Sequence, residues 1–409
     1  MPKYKVWQNA WKDGYDEPLE IDLPDDWKVT YHGTVADTMP PAPKELIRDR
    51  IRNPIDSKTL KQLARHGSEA VIVFDDLSRG TPVKEIAEVV LEELEENGID
   101  KDHIRFICAL GTHGAMTRVD FVRKLGKDIV ENYAVYNHNA FGNLVEIGKD
   151  RDGEPVLINR EFMECDIRIG IGSVSPHPMN GFGGGGKILF PGIAGAITTK
   201  ANHGRGQFTK FGTQKNDCGF RTDIESMTAM VGSFFKIDAV INDKLQIVDI
   251  YAGNPLKEYY FAAASSGKVN ALTLPQNQNN DVVIVNANAK YNEALISVKI
   301  ASQVLKKGGD IVLINHCETG QVVHYTFGPF GKNSGGTLFK KFEDRPKMKC
   351  GRLIFYTPFP DHFTKAQFDE PEKVVLAKTW REVLKALGSY GKDTSAAVIS
   401  DGSISYWKQ

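Results

Sequence analysis

The spacing of apolar and polar residues predicts alternating strands and helices along most of the chain. Near the start, EPLEIDL and WKVTYHG alternate apolar and polar residues, which predicts short β structure. Farther on, three short apolar runs predict buried strands: EAVIVF, IRFICAL and DIRIGIG. Two longer segments have the apolar spacing of amphipathic helices: VKEIAEVVLEELEENG and MTRVDFVRKLG. Repetition of strand, loop and helix is typical of an open, mostly parallel sheet covered by helices.

The same alternation continues to the end of the chain. A helix is predicted over about residues 192–202, with Pro191 near its first position. The polar stretch LTLPQNQNND at 272–281 predicts a linker. Beyond it, DVVIVNA, DIVLINH, RLIFYT and AAVIS predict strands, with one helix that ends at VLKKGG and another over WREVLKALGSYG. We therefore predict an α/β protein with two α/β domains, residues 1–270 and 271–409, and mostly parallel sheets.

Composition and charge add mainly exclusions. The 409 residues carry 51 Lys and Arg against 52 Asp and Glu, which gives a formal net charge of -1. This balance gives no reason to expect nucleic acid or a membrane as a partner, and no run approaches the roughly 18 apolar residues that a membrane span needs. The five cysteines form no Cys-x-x-Cys pair, and the first residues lack the pattern of a signal peptide. We therefore expect a cytoplasmic protein without a disulfide framework.

Polar residues follow each of the first three strands of the predicted parallel sheet. Because ligands bind beyond the carboxyl ends of such strands, we expect these residues to share one crevice. Asp and Ser also end strands for local reasons, whereas His and Arg are not typical turn residues, so the coincidence of three loops favours a site. The residues are Asp75, Asp76, Ser78 and Arg79 after the first strand, Thr112 and His113 after the second, and Ser173, Ser175 and His177 after the third.

A glycine run is the most distinctive local feature. Five of the 38 glycines lie within residues 181–186, and the run ends in Lys187. The sequence GFGGGGK has the G-x-x-x-x-G-K core of a phosphate-binding loop, in which backbone N–H groups approach an anion. Ile188 stands where such a loop has the Ser or Thr that holds Mg²⁺, so we expect a phosphate-bearing ligand and a reactive Lys187, but not an NTPase.

A third histidine, His203, ends the helix that follows the glycine run. A histidine at this position is commonly a partner of the helix dipole, but with His113 and His177 at the same sheet edge it makes a first-row metal an option. There is no H-E-x-x-H or other zinc spacing. The residues by themselves therefore leave a metal or a phosphate cofactor open, with His113 and His177 available as acid and base.

Four segments of the chain, in their order and spacing, resemble the catalytic subunit of the lactate racemase family. They are DDLSRGTP, GTHG, SVSPHPMNGFGGGGKILFPG and ANH. The resemblance covers essentially the whole chain. It implies a cofactor-binding catalytic domain over 1–270 and a second domain over 271–409 that closes over the substrate, with the active site in the cleft between them. It also implies a nickel-pincer nucleotide (pyridinium-3-thioamide-5-thiocarboxylate mononucleotide with nickel) made by separate cofactor-synthesis proteins.

The resemblance also implies roles for single residues. Lys187 matches the lysine that holds the nucleotide covalently, and His203 matches the histidine that ligates nickel. His113 and His177 match the two catalytic histidines on opposite sides of the substrate. Asp76 matches a residue that contacts the cofactor, and the expected cofactor-binding residues further include Gly183, Gly184, Gly185 and Gly186.

The substrate implied by the resemblance is a small 2-hydroxy acid. Arg79 and Lys299 match residues that contact it, and Arg79 would hold its carboxylate in a planar fork. Leu295 and Ile296 stand where lactate racemases have a Tyr-Gln pair, so we expect a substrate other than lactate.

The implied reaction inverts the configuration at Cα. One histidine takes the hydroxyl proton while hydride leaves for the cofactor, and hydride then returns to the other face of a planar 2-keto acid. Histidine suits both roles because its ordinary pKa lies near physiological pH. Two alternatives stay open at this point: a zinc-dependent hydrolase, and a non-catalytic nucleotide- or phosphate-binding protein.

Overall fold

The computed structural model describes residues 2–12, 14–65, 67–213, 218–276, 278–322, 324, 348–361, 364–365 and 370–408. Its strands are β1 (Lys3–Val6), β2 (Leu19–Asp22), β3 (Lys28–His32), β4 (Ala70–Asp75), β5 (Ile104–Ala109), β6 (Ala134–Asn137), β7 (Leu144–Lys149), β8 (Pro155–Asn159), β9 (Ile167–Ser173), β10 (Pro176–His177), β11 (Gly181–Phe182), β12 (Phe235–Ile241), β13 (Ile247–Gly253), β14 (Ala271–Thr273), β15 (Asn280–Asn286), β16 (Leu305–Ile314), β17 (Leu353–Tyr356), β18 (Val374–Ala377), β19 (Ser395–Ile399) and β20 (Tyr406–Lys408).

The α-helices of the described residues are α1 (Lys44–Arg52), α2 (Leu60–Leu63), α3 (Val83–Glu96), α4 (Arg118–Leu125), α5 (Lys127–Asn132), α6 (Arg160–Glu164), α7 (Ala196–Gly204), α8 (Gly219–Met230), α9 (Glu258–Val269), α10 (Leu295–Ala301) and α11 (Trp380–Ala386). Short 3-10 turns lie at Ala36–Thr38, Lys101–His103, Gly185–Ile188, Tyr291–Glu293 and Pro371–Lys373. Within the part of the chain that the structure describes, no helix is both long and apolar enough to cross a membrane.

A six-stranded sheet forms the centre of the first half of the chain, in the order β13-β12-β9-β4-β5-β6. All its neighbours are parallel except β12 and β13. Every residue of β4 is buried, as expected of a strand covered on both faces. Helix α3 packs its apolar side on one face, and α8 together with the segment after the glycine run covers the other. The predicted α/β fold with mostly parallel sheets is confirmed.

The second sheet is parallel throughout, in the order β18-β17-β16-β15-β19-β3. Its edge strand β3 comes from the beginning of the chain and pairs with β19 in register from Lys28 and Ser395. The chain therefore starts on the second sheet before it builds the first one. The boundary at residue 270 stays a prediction, and the topology adds that residues 28–32 cross it.

Two predicted helices are wrong in extent. The helix expected over 192–202 begins only at Ala196. The N–H of Gly195 donates to Leu157 O at 2.8 Å, and the N–H of Ala196 donates to Ala140 O at 2.8 Å. These two hydrogen bonds keep the preceding segment out of the helix. The helix expected to end at VLKKGG stops at Ala301, and Leu305 already pairs with the neighbouring strand β15.

Candidate active site

A cavity of about 160 Å³ lies at the carboxyl ends of β4, β5 and β9, where the first half of the chain meets the second. This is the crevice that the strand-end residues predict. From the second half of the chain, Lys290, Glu293 and His324 reach the same cavity. The predicted residues that line it are Asp75, Asp76, Ser78, Arg79, Thr112, His113, Ser173, Ser175, His177, Gly183, Gly184, Lys187, Ile188 and His203.

Asp76 and His113 form a hydrogen-bonded pair at one side of the cavity. Nδ1 of His113 lies 2.6 Å from Oδ2 of Asp76, and the other carboxylate oxygen accepts from the backbone N–H of Ser78 at 3.0 Å. Burial alone would raise the pKa of Asp76, but His113 and Arg79 bring it down to about 2. Asp76 is therefore a carboxylate, Nδ1 of His113 carries the proton that it accepts, and Nε2 is left as the basic nitrogen.

Lys124 of α4 fixes the loop that carries Asp76 and Arg79. Its ammonium group, which is 1% exposed, lies 2.8 Å from the Asp75 carboxylate. It also donates to the backbone oxygens of Asp76 at 3.0 Å and Arg79 at 2.7 Å, and the ring of Trp11 covers it at 4.4 Å. We define residues 75–79 as the acidic loop. The sequence analysis missed Lys124, because nothing in an amphipathic helix distinguishes a lysine that points inward.

Arg79 is held by one end of its guanidinium group. Nη1 donates to the backbone oxygen of Ser78 at 3.0 Å and forms an ion pair with Oε2 of Glu293. Among the described residues, Nε and Nη2 have no hydrogen-bond partner, and Arg79 lines the cavity. A planar guanidinium fixed at Nη1 still offers Nε and Nη2 as a fork for a carboxylate.

Lys187 lies against His177 on the other side of the cavity, with 3.1 Å between Nζ and Nε2. Nδ1 of His177 accepts the backbone N–H of Met179 at 3.1 Å, so in the neutral ring Nε2 carries the proton and donates it to Lys187. Lys187 then accepts as an uncharged amine. Its lowered pKa agrees with this, because burial and the cations Arg79 and Arg221 hold it well below the ordinary value.

Burial also lowers the pKa of His177 well below its ordinary range, with further contributions from Lys187 and Lys290. His177 is therefore neutral at physiological pH. An uncharged lysine amine is nucleophilic, which is the form that a covalent bond at Lys187 requires.

The glycine run packs more tightly than a phosphate cradle requires. The N–H of Gly185 donates to the buried Asp238 at 2.6 Å, and that of Gly183 donates to Ser175 O at 2.8 Å. A Cβ on Gly184 would lie 2.3 Å from Val174, and one on Gly186 would lie 2.1 Å from Thr228. Gly183 and Gly184 line the cavity, so the expected contact with a cofactor stays open there, but the amides of Gly183 and Gly185 are already used.

His203 stands in the last turn of α7 and reaches the cavity. Its Nδ1 lies 2.9 Å from the backbone oxygen of Thr199, so Nδ1–H donates to this oxygen and the lone pair is on Nε2. Burial lowers the pKa of His203 to about 3. A neutral imidazole whose other nitrogen is fixed by a carbonyl is the usual form of a metal-ligating histidine.

Two curated lactate racemases are similar to this chain. The one from Lactiplantibacillus plantarum is 30% identical over 234 residues, which are 55% of this chain and 53% of that protein. The one from Thermoanaerobacterium thermosaccharolyticum is 24% identical over 289 residues, 68% of this chain and 66% of that protein. The matches thus span between about half and two thirds of the length of these relatives. Residues 15–213 also match the family described as the lactate racemase N-terminal domain. Residues 15–213 are thus a lactate racemase N-terminal domain, and the chain is similar to lactate racemases beyond it.

Solved structures agree with this similarity at the level of the fold. The apoprotein of the lactate racemase from Thermoanaerobacterium thermosaccharolyticum superposes with a TM-score of 0.73 at 20% identity and covers 100% of both chains. A protein from Thermotoga maritima superposes with a TM-score of 0.66 at 19% identity, over 90% of this chain and 99% of that one. The two-sheet fold is therefore shared with these solved structures over 90% or 100% of the chain.

The expected substrate residues of the second half do not reach the cavity. Lys299, Leu295 and Ile296 lie on α10, outside the lining residues. Lys290 and Glu293 line the cavity from this half of the chain instead. They follow β15 at its carboxyl end, so the position that points to Asp76 in the sequence points to them as well. His324 follows no described strand, and no sequence signal points to it.

Proposed function

We propose that this protein is a lactate racemase family member, a racemase or epimerase that inverts Cα of a 2-hydroxy acid through a 2-keto acid. The observation that carries the proposal is the combination in one cavity of an uncharged lysine, histidines in defined tautomers and an arginine with an open fork. A protein that only binds nucleotides has no need for the Asp76–His113 pair, which prepares Nε2 as a base.

The residues fit the nickel-pincer nucleotide that the family resemblance implies. Lys187 is an uncharged amine suited to a covalent bond, and His203 offers Nε2 of a neutral imidazole, a ligand type that suits nickel. When bound, this group would supply the acceptor and donor of the Cα hydride. Lys187 and His203 would hold it, and Asp76 lines the same cavity.

The other side chains act on the substrate in this proposal. Nε and Nη2 of Arg79 bind the carboxylate, while Glu293 keeps the guanidinium in place from Nη1. His113 takes the hydroxyl proton on Nε2, and Asp76 stabilises the imidazolium that results. His177 acts on the other side: it takes the hydroxyl proton of the opposite stereoisomer on Nε2, and in the reverse direction it gives this same proton back. Nε2 must be free of its own proton before it can act as a base, so the ring has to give up the hydrogen bond that Nδ1 accepts from Met179.

Intact-mass and metal measurements test the cofactor. The full chain is expressed in a host with and without the cofactor-synthesis proteins. We expect an added mass that maps to Lys187, and one equivalent of nickel, only in the first case. A zinc-dependent hydrolase would show zinc and no added mass even when the cofactor-synthesis proteins are present. The absence of an adduct after verified cofactor synthesis would contradict the proposal.

A racemisation screen tests the substrate. We propose a 2-hydroxy acid other than lactate, because the positions where lactate racemases have a Tyr-Gln pair hold Leu295 and Ile296, which lie outside the cavity lining and offer no such contact. Lactate, malate, 2-hydroxyglutarate, aryl-lactates and aldonic acids are compared with the loaded enzyme by chiral chromatography. Lactate as the best substrate would contradict this part of the proposal and leave the reaction type in place. Substitution of His113 or His177 separates catalysis from simple binding, because only catalysis should disappear.

A further inference from the structure

Two histidines and a carboxylate meet in the cavity at a position distinct from His203. Ligand atoms of His113, Glu293 and His324 all lie within 4.8 Å of one another. The three residues come from distant parts of the chain, and each is partly buried. His113 and His324 also form an isolated antiparallel backbone bridge, with ring centroids 4.4 Å apart. The fold therefore holds these groups together through the backbone as well as through side chains.

One separation within this cluster is close to that of two metal ligands. Nε2 of His324 and Oε1 of Glu293 are 3.6 Å apart, longer than the roughly 2.7–3.2 Å of a hydrogen bond with an N–H donor. Two ligands at about 2.0–2.1 Å from a tetrahedral zinc ion are separated by roughly 3.3–3.4 Å. An ion placed between the two atoms would therefore need only a small movement of either side chain.

Neighbouring groups already orient two of the three ligands. Nδ1 of His113 is bonded to the Asp76 carboxylate at 2.6 Å, which leaves Nε2 for an ion. Oε2 of Glu293 pairs with Arg79, which leaves Oε1 on the side of His324. A carboxylate behind a ligating histidine is the usual support of a zinc site, and two His with one Glu is a common ligand set of zinc sites with an open position.

We propose that His113, Glu293 and His324 bind a divalent cation of the zinc type, separately from the nickel position at His203. The ion would bind the lone pair of His113 Nε2. If the proposed racemase function holds, free Zn²⁺ would therefore inhibit the enzyme by removing one of its two bases. Binding itself does not depend on that function, because the three ligands belong to the protein alone.

The test uses the full chain expressed without the cofactor-synthesis proteins and freed of metal with a chelator. Zn²⁺ is titrated in competition with a chromophoric chelator. We expect the wild-type chain to bind one equivalent of Zn²⁺ tightly. The affinity for Zn²⁺ should fall by about 100-fold in both His324→Gln and Glu293→Gln. It should fall by about 10-fold in Asp76→Asn, which removes the carboxylate that supports His113. Thermal melting of each variant verifies that it is folded, and the two ligand variants serve as checks on each other.

Two controls locate the ion. His103 pairs with Glu69 at 2.5 Å outside the cavity, so His103→Gln removes the same residue type from a similar pair and should leave zinc affinity unchanged. His203→Gln should also leave it unchanged. Absence of a tight equivalent in the wild-type chain would overturn the proposal. So would zinc binding that survives both ligand variants or is lost in His203→Gln. Neither result bears on the Lys187 adduct, which tests the proposed function separately.

Discussion

Two loops border the cavity, and each has a lysine beside it. The buried Lys124 and the partly buried Lys187 have different surroundings. At the acidic loop, Lys124 meets the Asp75 carboxylate and two backbone oxygens. In the glycine loop (residues 181–188), the Lys187 side chain meets no carboxylate, and its one hydrogen bond among the described residues is with His177. Burial disfavours the ammonium form of both. A carboxylate partner makes Lys124 a cross-link of the fold, whereas Lys187, beside cations, becomes an uncharged nucleophile.

The largest effect should come from Lys187→Met. We expect the Lys187 adduct to vanish and racemisation to fall by more than about 1000-fold, equivalent to over about 4 kcal/mol of transition-state stabilisation. The melting temperature should stay close to that of the wild type, because no buried charge loses its partner. Mass spectrometry, chiral assay and thermal melting measure the three quantities. A strongly destabilised variant would show that Lys187 is structural, and the contrast with Lys124 would fail.

Lys124→Met should give the opposite pattern. Removal of the cation leaves Asp75 buried without its partner, which costs about 3–5 kcal/mol, while Lys187 and its adduct are preserved. Urea unfolding measures the loss. The double variant Lys124→Met/Asp75→Asn should recover part of it, because the unpaired charge is then removed as well. A loss below about 1 kcal/mol would mean that the acidic loop is held by other contacts.

The segment after the glycine loop should respond to pH through His138. This buried histidine donates from Nε2 to Ala194 O at 2.9 Å, and burial lowers its pKa from 6.5 to about 4. The neutral, buried His138 contributes its full stabilisation above pH 6.5. Between pH 6.5 and about 4 this stabilisation is lost, because His138 binds a proton in the unfolded chain but not yet in the folded one. The loss is about 3 kcal/mol. In His138→Gln this part of the pH dependence should disappear, and an unchanged slope of unfolding free energy between pH 6.5 and 4 would contradict the assignment.

The smallest effects should separate two glycines of the glycine loop. Gly186→Ala places a Cβ 2.1 Å from Thr228 Oγ1 and should cost about 1–3 kcal/mol. Gly183→Ala meets no atom closer than 3.7 Å and should leave the unfolding free energy nearly unchanged. Because Gly183 lines the cavity, any effect of that variant should appear in the amount of bound cofactor. Equal destabilisation by both variants would remove the distinction between packing and lining glycines.

Much of the fold was predictable because buried parallel strands leave a strong signal. The strands expected at 69–74, 104–110 and 166–172 are confirmed as β4, β5 and β9, since short apolar β-branched runs fit a sheet covered on both faces. The helix expected to end at VLKKGG is wrong there, because pairing of Leu305 with β15 outweighs a local pattern that suits either structure. The edge strand β3 could not be assigned to its sheet, since strand pairing joins residues far apart in the chain.

The sequence by itself determined the alternation of strands and helices and the family motifs at the ends of β4, β5 and β9. Local spacing is sufficient for this, because parallel strands carry their terminal loops to one edge. Only the tertiary structure decided which lysine has a carboxylate beside it, and that Glu293 and His324 join His113. These outcomes depend on distances between residues hundreds of positions apart, and on burial, which converts a neighbouring charge into a large change of pKa.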